Sequence, residues 1–274
     1  MNARSQKRNW KLPLSLAGLA IVVATTVSAV GASAATTATH SPLKPTIVLE
    51  HGAWADGSSW DRVVSRLQKA GYIVDVPPNP LRGPASDSAY LASYLATITG
   101  PIVLVGHSYG GFVTTDAATG NPNVKALVYV DAFIPAQGDT LNSLLGQFPG
   151  TSITPAALNF VPSAGGVLDA YIKPALFRSI LGSDLSSKKA AVLAATQEPI
   201  AAAALGEPSG APAWTSIPSW DVIGTADHAI PVAAQKFMAN RAHSVVTEVD
   251  ASHLSLVSQP RVVTDVIESA AQHS

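Results

Sequence analysis

The stretch PIVLVGHSYGGFV, residues 101–113, decides the fold of this chain. It runs from a β-branched apolar segment into Ser108, which has a glycine two positions away on either side, and it continues as a helical pattern. A strand that turns abruptly into a helix forces its corner residue into strained backbone angles, and side chains two positions away would collide there. Gly106 and Gly110 remove that collision. The stretch therefore predicts a strand–turn–helix unit with Ser108 exposed at the corner, and the alternative is a glycine-rich packing turn.

Six short segments of strand-like sequence are spread along the chain. Each is bounded by turn-forming residues, and several are continuously apolar, as strands buried on both faces of a parallel sheet are. They are residues 46–52, 71–77, 101–107, 124–132, 219–225 and 243–249. Helical patterns lie between them at 59–70, 88–98 and 231–242. This alternation predicts an α/β fold with a mostly parallel central sheet of about six strands, flanked by helices.

The stretch 134–216 interrupts the alternation. It carries helical patterns at 140–148, 166–181 and 186–197. An excursion of that length between two sheet strands predicts an inserted, mostly helical cap over one end of the sheet. Its large apolar side chains either line a substrate pocket or pack the core. They are Leu144, Leu145, Phe148, Phe160, Tyr171 and Phe177.

The first 34 residues have the three-part layout of a secretory signal peptide. A basic start is followed by an uncharged apolar run, and Ala32-Ser33-Ala34 supplies the small residues of a cleavage site. An uncleaved membrane anchor is the alternative, because the apolar run is nearly long enough to span a bilayer. The sequence predicts a signal peptide at 1–34 cleaved near Ala34, a linker at 35–45 and one domain at 46–274, in a secreted or periplasmic protein.

Charge and cysteine content exclude several classes of function. Four of the 17 basic residues lie within the first 34 positions and no acidic residue does, so the remainder has 13 basic and 18 acidic residues, a net charge of −5. We therefore expect no nucleic-acid partner and no stable membrane association after signal cleavage. Cysteine is absent from the sequence, which excludes disulfides, thiolate metal sites and a cysteine nucleophile. No acidic or histidine cluster has the spacing of metal ligands, so we expect neither metal nor organic cofactor.

A serine hydroxyl at this corner becomes a nucleophile only if a base takes its proton. Among the seven histidines, His228 and His253 lie in loops that follow strands, where sites in parallel sheets form. His253 follows the last strand, as the base does in the chain order Ser, Asp or Glu, His, and it is the predicted base. The predicted orienting carboxylate is Asp227, which lies just past the fifth strand. Asp131, at the end of the fourth strand, is the alternative.

An acyl-transfer site also needs donors for the oxyanion that forms. The first strand ends in HGAWADGSSW, residues 51–60, whose glycines let the backbone come close to the serine. The backbone N–H groups of Ala53 and Tyr109 are the predicted pair of donors. An ordinary glycine-rich strand-to-helix loop is the alternative interpretation of that segment.

With these residues assembled, residues 44–272 resemble the α/β-hydrolase superfamily. The resemblance is carried by HGAWADGSSW (51–60), VGHSYGG (105–111), IGTADHAIP (223–231) and ASHLSLVSQP (251–260). It is strongest to the esterase-like branch near plant hydroxynitrile lyases and salicylate-methyl-ester esterases. The lyases of this branch place threonine after the first-turn histidine and lysine after the catalytic histidine. Here those positions are Gly52 and Leu254, which favours ester hydrolysis over cyanohydrin cleavage.

The resemblance implies a serine hydrolase with Ser108 as nucleophile, Asp227 as acid, His253 as base, and the Ala53 and Tyr109 amides as oxyanion hole. The expected substrate is a small or medium uncharged carboxylic ester. Another reaction on the same three residues is a first alternative: thioester or lactone hydrolysis, carbon–carbon cleavage or perhydrolysis. A non-catalytic protein that binds a small ligand on the same fold is a second alternative.

Overall fold

A parallel sheet runs through residues 44–274, which are the residues described in the computed structural model of this chain. The expected signal peptide and nearly all of the expected linker lie outside the described residues. The strands are β1 (Thr46–Glu50), β2 (Val74–Asp75), β3 (Ile102–His107), β4 (Val124–Val130), β5 (Leu158–Pro162), β6 (Leu168–Ile172), β7 (Ile200–Ala201), β8 (Ser219–Gly224) and β9 (Val245–Val249).

The central sheet has the strand order β2-β1-β3-β4-β8-β9, and every neighbouring pair in it is parallel. Its inner strands β1, β3 and β8 are buried along their whole length, which explains the mostly apolar sequences of β1 and β3. All six predicted segments contain one of its strands. The predicted α/β class is therefore confirmed.

Helices cover both faces of the central sheet. They are α1 (Asp61–Lys69), α2 (Pro84–Leu95), α3 (Tyr109–Ala117), α4 (Leu141–Gln147), α5 (Pro174–Leu181), α6 (Ser187–Ala195), α7 (Val232–Arg241), α8 (Ser255–Ser258) and α9 (Pro260–Gln272). Helix α9 packs on β4, β8 and α1, whereas α2 packs on α3, which contacts β3. Right-handed crossovers between parallel strands produce this division into two layers.

The register of the strands brings their carboxyl ends to one edge of the sheet. Gly106, the last residue but one of β3, is paired with Glu50 at the end of β1 and with Tyr129 near the end of β4. Gly224, which ends β8, is paired with Val249, which ends β9. The loops that follow β1, β3, β4, β8 and β9 therefore meet at this edge, where ligand sites of open α/β sheets form.

The segment between β4 and β8 forms the expected cap, and it contains strands as well as helices. Helices α4, α5 and α6 lie within it, and β5, β6 and β7 form a separate antiparallel sheet. The helix expected over 166–181 is wrong in its first half, because β6 occupies Leu168–Ile172 and α5 begins only at Pro174. Proline lacks an N–H and disfavours helical angles in the residue before it, so it suits the first position of a helix but not its interior.

Within residues 44–274, no helix combines the length and the apolar character that crossing a bilayer requires.

A buried carboxyl group lies in the middle of the central sheet. Asp221, in β8, has no exposed surface, and neither of its oxygens has a hydrogen-bond partner among the described residues. Burial, followed by the negative charge of Asp131, raises the pKa of Asp221 well above its usual range. The protonated form is therefore favoured in the folded protein, whereas the unfolded chain loses this proton near pH 4.

Asp221→Asn is expected to stabilise the protein progressively, relative to the wild type, as the pH rises. Above pH 4 the unfolded wild type ionises and the folded one does not, so its free energy of unfolding falls by up to about 1.4 kcal/mol per pH unit. Asparagine does not titrate and escapes this loss. Thermal unfolding of both proteins between pH 4 and pH 8 measures the difference. Asp265→Asn, at an exposed carboxylate on α9, is the control, and a difference for Asp221→Asn that stays constant with pH would contradict the prediction.

Candidate active site

Ser108 occupies the sharp corner between β3 and α3. Its backbone angles are φ 54° and ψ −124°, a strained combination for a residue other than glycine. A β-carbon added to Gly106 would lie 2.6 Å from the Gly111 Cα, and one added to Gly110 would lie 2.6 Å from the Glu50 carbonyl oxygen. Both contacts are with backbone atoms, which cannot move aside. The two glycines therefore have the steric role that the sequence pattern predicts.

The structure brings Ser108, His253 and Asp227 together, although they come from three different loops. The Ser108 Oγ lies 2.8 Å from His253 Nε2, and His253 Nδ1 lies 2.8 Å from Asp227 Oδ2. Because a carboxylate can only accept hydrogen bonds, Nδ1 carries the ring proton and donates it to Asp227. Nε2 is then free to accept the hydroxyl proton of Ser108. All three residues are buried.

Burial and neighbouring carboxylates have opposite effects on the pKa of His253. Burial lowers its pKa, whereas the charge and hydrogen bond of Asp227 and the charge of Asp131 raise it, and the net direction is upward from 6.5. The imidazolium form is thus stabilised by the neighbouring carboxylates once a proton arrives. This is the property required of a base that must hold a proton during a reaction.

Asp227 is held by a set of donors that sequence analysis did not identify. Its Oδ1 accepts from the backbone N–H groups of Ala229 (2.7 Å) and Ile230 (3.0 Å), within its own loop. Its Oδ2 accepts from the side-chain amide of Gln235, on α7, at 2.8 Å. Gln235 is buried and positions the carboxylate toward His253. No sequence signal distinguished Gln235, because Lys236, Asn240 and Arg241 make α7 polar at several positions.

Asp131, the alternative to Asp227, does not contact the ring of His253. Its carboxylate accepts from the backbone N–H groups of Gly224 (2.7 Å) and Ser255 (3.0 Å), and so it joins the end of β8 to the start of α8. Burial and the charge of Asp227 raise the pKa of Asp131 to about 7. Asp131 therefore braces the loops that carry Asp227 and His253.

Two other histidines are buried near the site. The backbone N–H of Asn79 donates to His51 Nε2 (3.1 Å), so the proton of His51 is on Nδ1, which donates to the Gly52 carbonyl (3.0 Å). His107 donates from Nε2 to the backbone carbonyl of His253 at 2.9 Å. Burial lowers the pKa of His107 well below its usual range, which keeps the ring neutral. Both rings have structural hydrogen bonds, and His107 also fixes the backbone of His253. His228 is exposed.

The predicted oxyanion donors lie on either side of Ser108. A β-carbon added to Gly52 would lie 2.6 Å from the Ser108 Cβ, so the backbone of the loop after β1 packs directly against the serine. This brings the next residue, Ala53, to the site. The Tyr109 hydroxyl donates to Asp87 at 2.7 Å, which anchors the residue that supplies the second amide. Among the described residues, neither the Ala53 nor the Tyr109 N–H has a hydrogen-bond acceptor.

A narrow apolar cavity of about 10 Å³ opens at Ser108. Ligand pockets commonly measure roughly 300–1,000 Å³, so a substrate enters this cavity only when the side chains around it move apart. Its apolar lining comes from the strand-end loops and the cap: Ala53, Trp54, Phe133, Leu141, Leu145, Ile153, Ile200 and Leu205. Of the six cap residues named as lining candidates from the sequence, Leu145 alone lines this cavity. No group of three or more histidine, aspartate or glutamate side chains is arranged to hold a metal ion anywhere in residues 44–274.

The fold and this arrangement of serine, histidine and aspartate are those of a hydrolase-like α/β protein, and comparison with known proteins agrees. The alpha/beta hydrolase family matches residues 47–266, so the chain belongs to that family. The resemblance of the sequence to this superfamily is thereby confirmed.

The individual relatives have low sequence identity to this chain or match only part of it. A carbendazim-hydrolysing esterase from Nocardioides sp. (strain SG-4G) is 36% identical over 111 residues, which are 36% of this chain and 46% of that esterase. The match thus spans about half the length of the relative. An alpha/beta hydrolase from Aspergillus novofumigatus is 26% identical over 252 residues, which cover 84% of this chain and 97% of that protein.

Solved structures share the fold. An extracellular alpha/beta-hydrolase from a Paenibacillus species, described as a structural and functional homologue of tobacco salicylic acid binding protein 2, has a TM-score of 0.69 at 22% identity. The comparison covers 82% of this chain and 98% of that one. Polyneuridine aldehyde esterase has a TM-score of 0.70 at 18% identity, over 83% of this chain and 99% of that enzyme.

Proposed function

We propose that this chain is an exported serine esterase that cleaves small or medium uncharged carboxylic esters through an acyl-enzyme on Ser108. The observation that carries the proposal is the engagement of both ring nitrogens of His253, one with the Ser108 hydroxyl and one with the Asp227 carboxylate. Relatives that are esterases support the ester as the bond that is cleaved. The apolar cavity at Ser108 supports an uncharged substrate.

The geometry supports a two-step reaction. Ser108 Oγ attacks the acyl carbon while its proton passes to His253 Nε2, and Asp227 stabilises the imidazolium. The Ala53 and Tyr109 N–H groups donate to the oxyanion of the tetrahedral intermediate. Collapse of this intermediate breaks the bond to the alcohol, which leaves with the proton from His253. Water, deprotonated by His253, then attacks the acyl carbon and releases Ser108 and the carboxylic acid.

Ser108→Ala is expected to lower the hydrolysis of p-nitrophenyl acetate and butyrate by at least about a thousandfold, because the acyl-enzyme cannot form. A fluorophosphonate probe should label the wild type at Ser108, as located by mass spectrometry, and should leave the variant unlabelled. Ser93→Ala, at an exposed serine on α2, is the control. A folded wild type with neither turnover nor label would reject the esterase and favour the non-catalytic binding protein.

The pH dependence of kcat/KM is expected to report His253. Only its neutral form can accept the serine proton, so the rate should rise with pH and reach half of its plateau above pH 6.5, since the pKa is raised. Asp227→Asn removes the largest raising influence and leaves the lowering effect of burial. The midpoint should then move to lower pH, and the plateau should fall by roughly a thousandfold. Profiles of p-nitrophenyl acetate hydrolysis between pH 5 and 9 measure both effects.

Asp250→Asn provides the matched control for that profile, because it removes an exposed carboxylate from the loop that leads to His253. It should leave the midpoint where the wild type has it. An unchanged midpoint in Asp227→Asn would show that this carboxylate does not act on His253.

Export is proposed from the layout of residues 1–34, and the extracellular Paenibacillus relative supports it. Cleavage after Ala34 should give a mature protein that begins at Ala35. Intact-mass and N-terminal peptide measurement on protein collected from outside the cytoplasmic membrane tests this. A protein that retains residues 1–34 and sediments with membranes would instead be an anchored form.

A further inference from the structure

Two cavities in the structure share a single lining residue. The first is the cavity at Ser108, called here the serine cavity. The second, also of about 10 Å³, is called the outer cavity. It is lined by the apolar side chains of Ala55, Phe177, Leu193 and Leu254 and by the polar ones of Asp56, Ser59 and Thr196. Trp54 lines both, and no other described residue does. Trp54 is therefore the residue that the two linings share, and its indole is called here the wall.

The wall is fixed in place by the cap. The indole Nε1–H of Trp54 donates to the Ala170 carbonyl on β6 at 2.8 Å, and the backbone N–H of Trp54 donates to the Glu198 carbonyl at 2.9 Å. The residue is 4% exposed. Both acceptors belong to the cap, so the cap holds the indole and the backbone of Trp54.

The backbone of Trp54 is in an unfavourable conformation. Its φ is 59°, in the left-handed region, which costs energy for a bulky side chain. Strain of this kind persists only where the surroundings over-determine it, and it clusters at ligand-contacting positions. Trp54 directly follows Ala53, a proposed oxyanion donor, so the strained residue stands at the point where substrate would lie.

We propose that Trp54 sets the upper size limit of the molecule that fits at Ser108, by closing the serine cavity off from the outer cavity. The serine cavity as it stands has room for about one water molecule, so an acyl chain at Ser108 pushes its lining apart, and a longer chain then meets the indole. Removal of the indole would join the two cavities into one mainly apolar channel, into which a longer alkyl chain can extend. The identity of the ligand as an ester rests on the proposed function, but the size limit does not.

Trp54→Ala tests the limit, and Trp54→Phe is the matched control. Phenylalanine keeps an aromatic wall but loses the hydrogen bond to Ala170, so it separates the effect of bulk from that of cap attachment. For p-nitrophenyl esters, the kcat/KM ratio of hexanoate to acetate should rise at least about tenfold in Trp54→Ala, since each methylene in an apolar pocket contributes substantially to discrimination. It should stay within about threefold of the wild type in Trp54→Phe.

A binding measurement makes the test independent of turnover. In proteins that also carry Ser108→Ala, calorimetry would compare N-(4-nitrophenyl)hexanamide with N-(4-nitrophenyl)acetamide. Trp54→Ala should lower the Kd of the hexanamide at least about tenfold and change the Kd of the acetamide by no more than about twofold. Equal binding ratios of hexanamide to acetamide with and without the indole would overturn the size limit but would not contradict the proposed esterase activity. The binding ratio could also shift while the proteins that retain Ser108 hydrolyse no ester. That result would reject the esterase and retain the size limit.

Trp54→Gly serves if Trp54→Ala does not fold. Glycine adopts a φ near 60° without strain, so this variant removes the wall and relieves the backbone together. Its binding and kcat/KM ratios are expected to shift in the same direction as those of Trp54→Ala. A folded Trp54→Gly protein with wild-type ratios would also overturn the proposal.

Discussion

The crowding of backbone around Ser108 is the constraint on which the rest of the structure depends. Gly52, Gly106 and Gly110 each lie so close to neighbouring atoms that a β-carbon would fall 2.6 Å from one of them. Helix α3 can therefore start directly against the ends of β1 and β3, and the loop after β1 can pass beside the serine. The strained φ of Ser108, the proximity of Ala53 and the placement of the Tyr109 amide all follow from that close packing.

The same packing explains why so much could be predicted from sequence. The glycine spacing around Ser108 is local, and the positions of Asp227 and His253 follow from the rule that loops at the carboxyl ends of parallel strands meet. Gln235 could not be predicted, because nothing in the α7 pattern shows which loop carboxylate its amide faces. The strands of the cap were missed for a similar reason, since β6 is followed at once by α5 and the two form one apolar pattern.

The cap contacts could not be predicted either, because they join residues far apart in the chain. Trp54 donates to Ala170, and Ser252, beside His253, donates through its hydroxyl to the Asp184 carboxylate. The cap is thus attached both to the loop that supplies Ala53 and to the loop that supplies His253. The contacts that hold the cap therefore also hold the loops of Ala53 and His253, the proposed oxyanion donor and the proposed base.

Three buried carboxyl groups lie on or just after β4 and β8, and they differ in the number of hydrogen-bond donors that they meet. Asp227 accepts four hydrogen bonds, including the one from His253, whereas Asp131 accepts two and Asp221 none among the described residues. Hydrogen-bond donors offset the cost of burying a carboxylate, and Asp227 meets the most of them. Burial is the largest cause that raises the pKa of Asp131 and of Asp221, which meet fewer donors. Asp227 rather than Asp131 orients His253 because its loop supplies the donors that a buried carboxylate needs, in addition to being within reach of the ring.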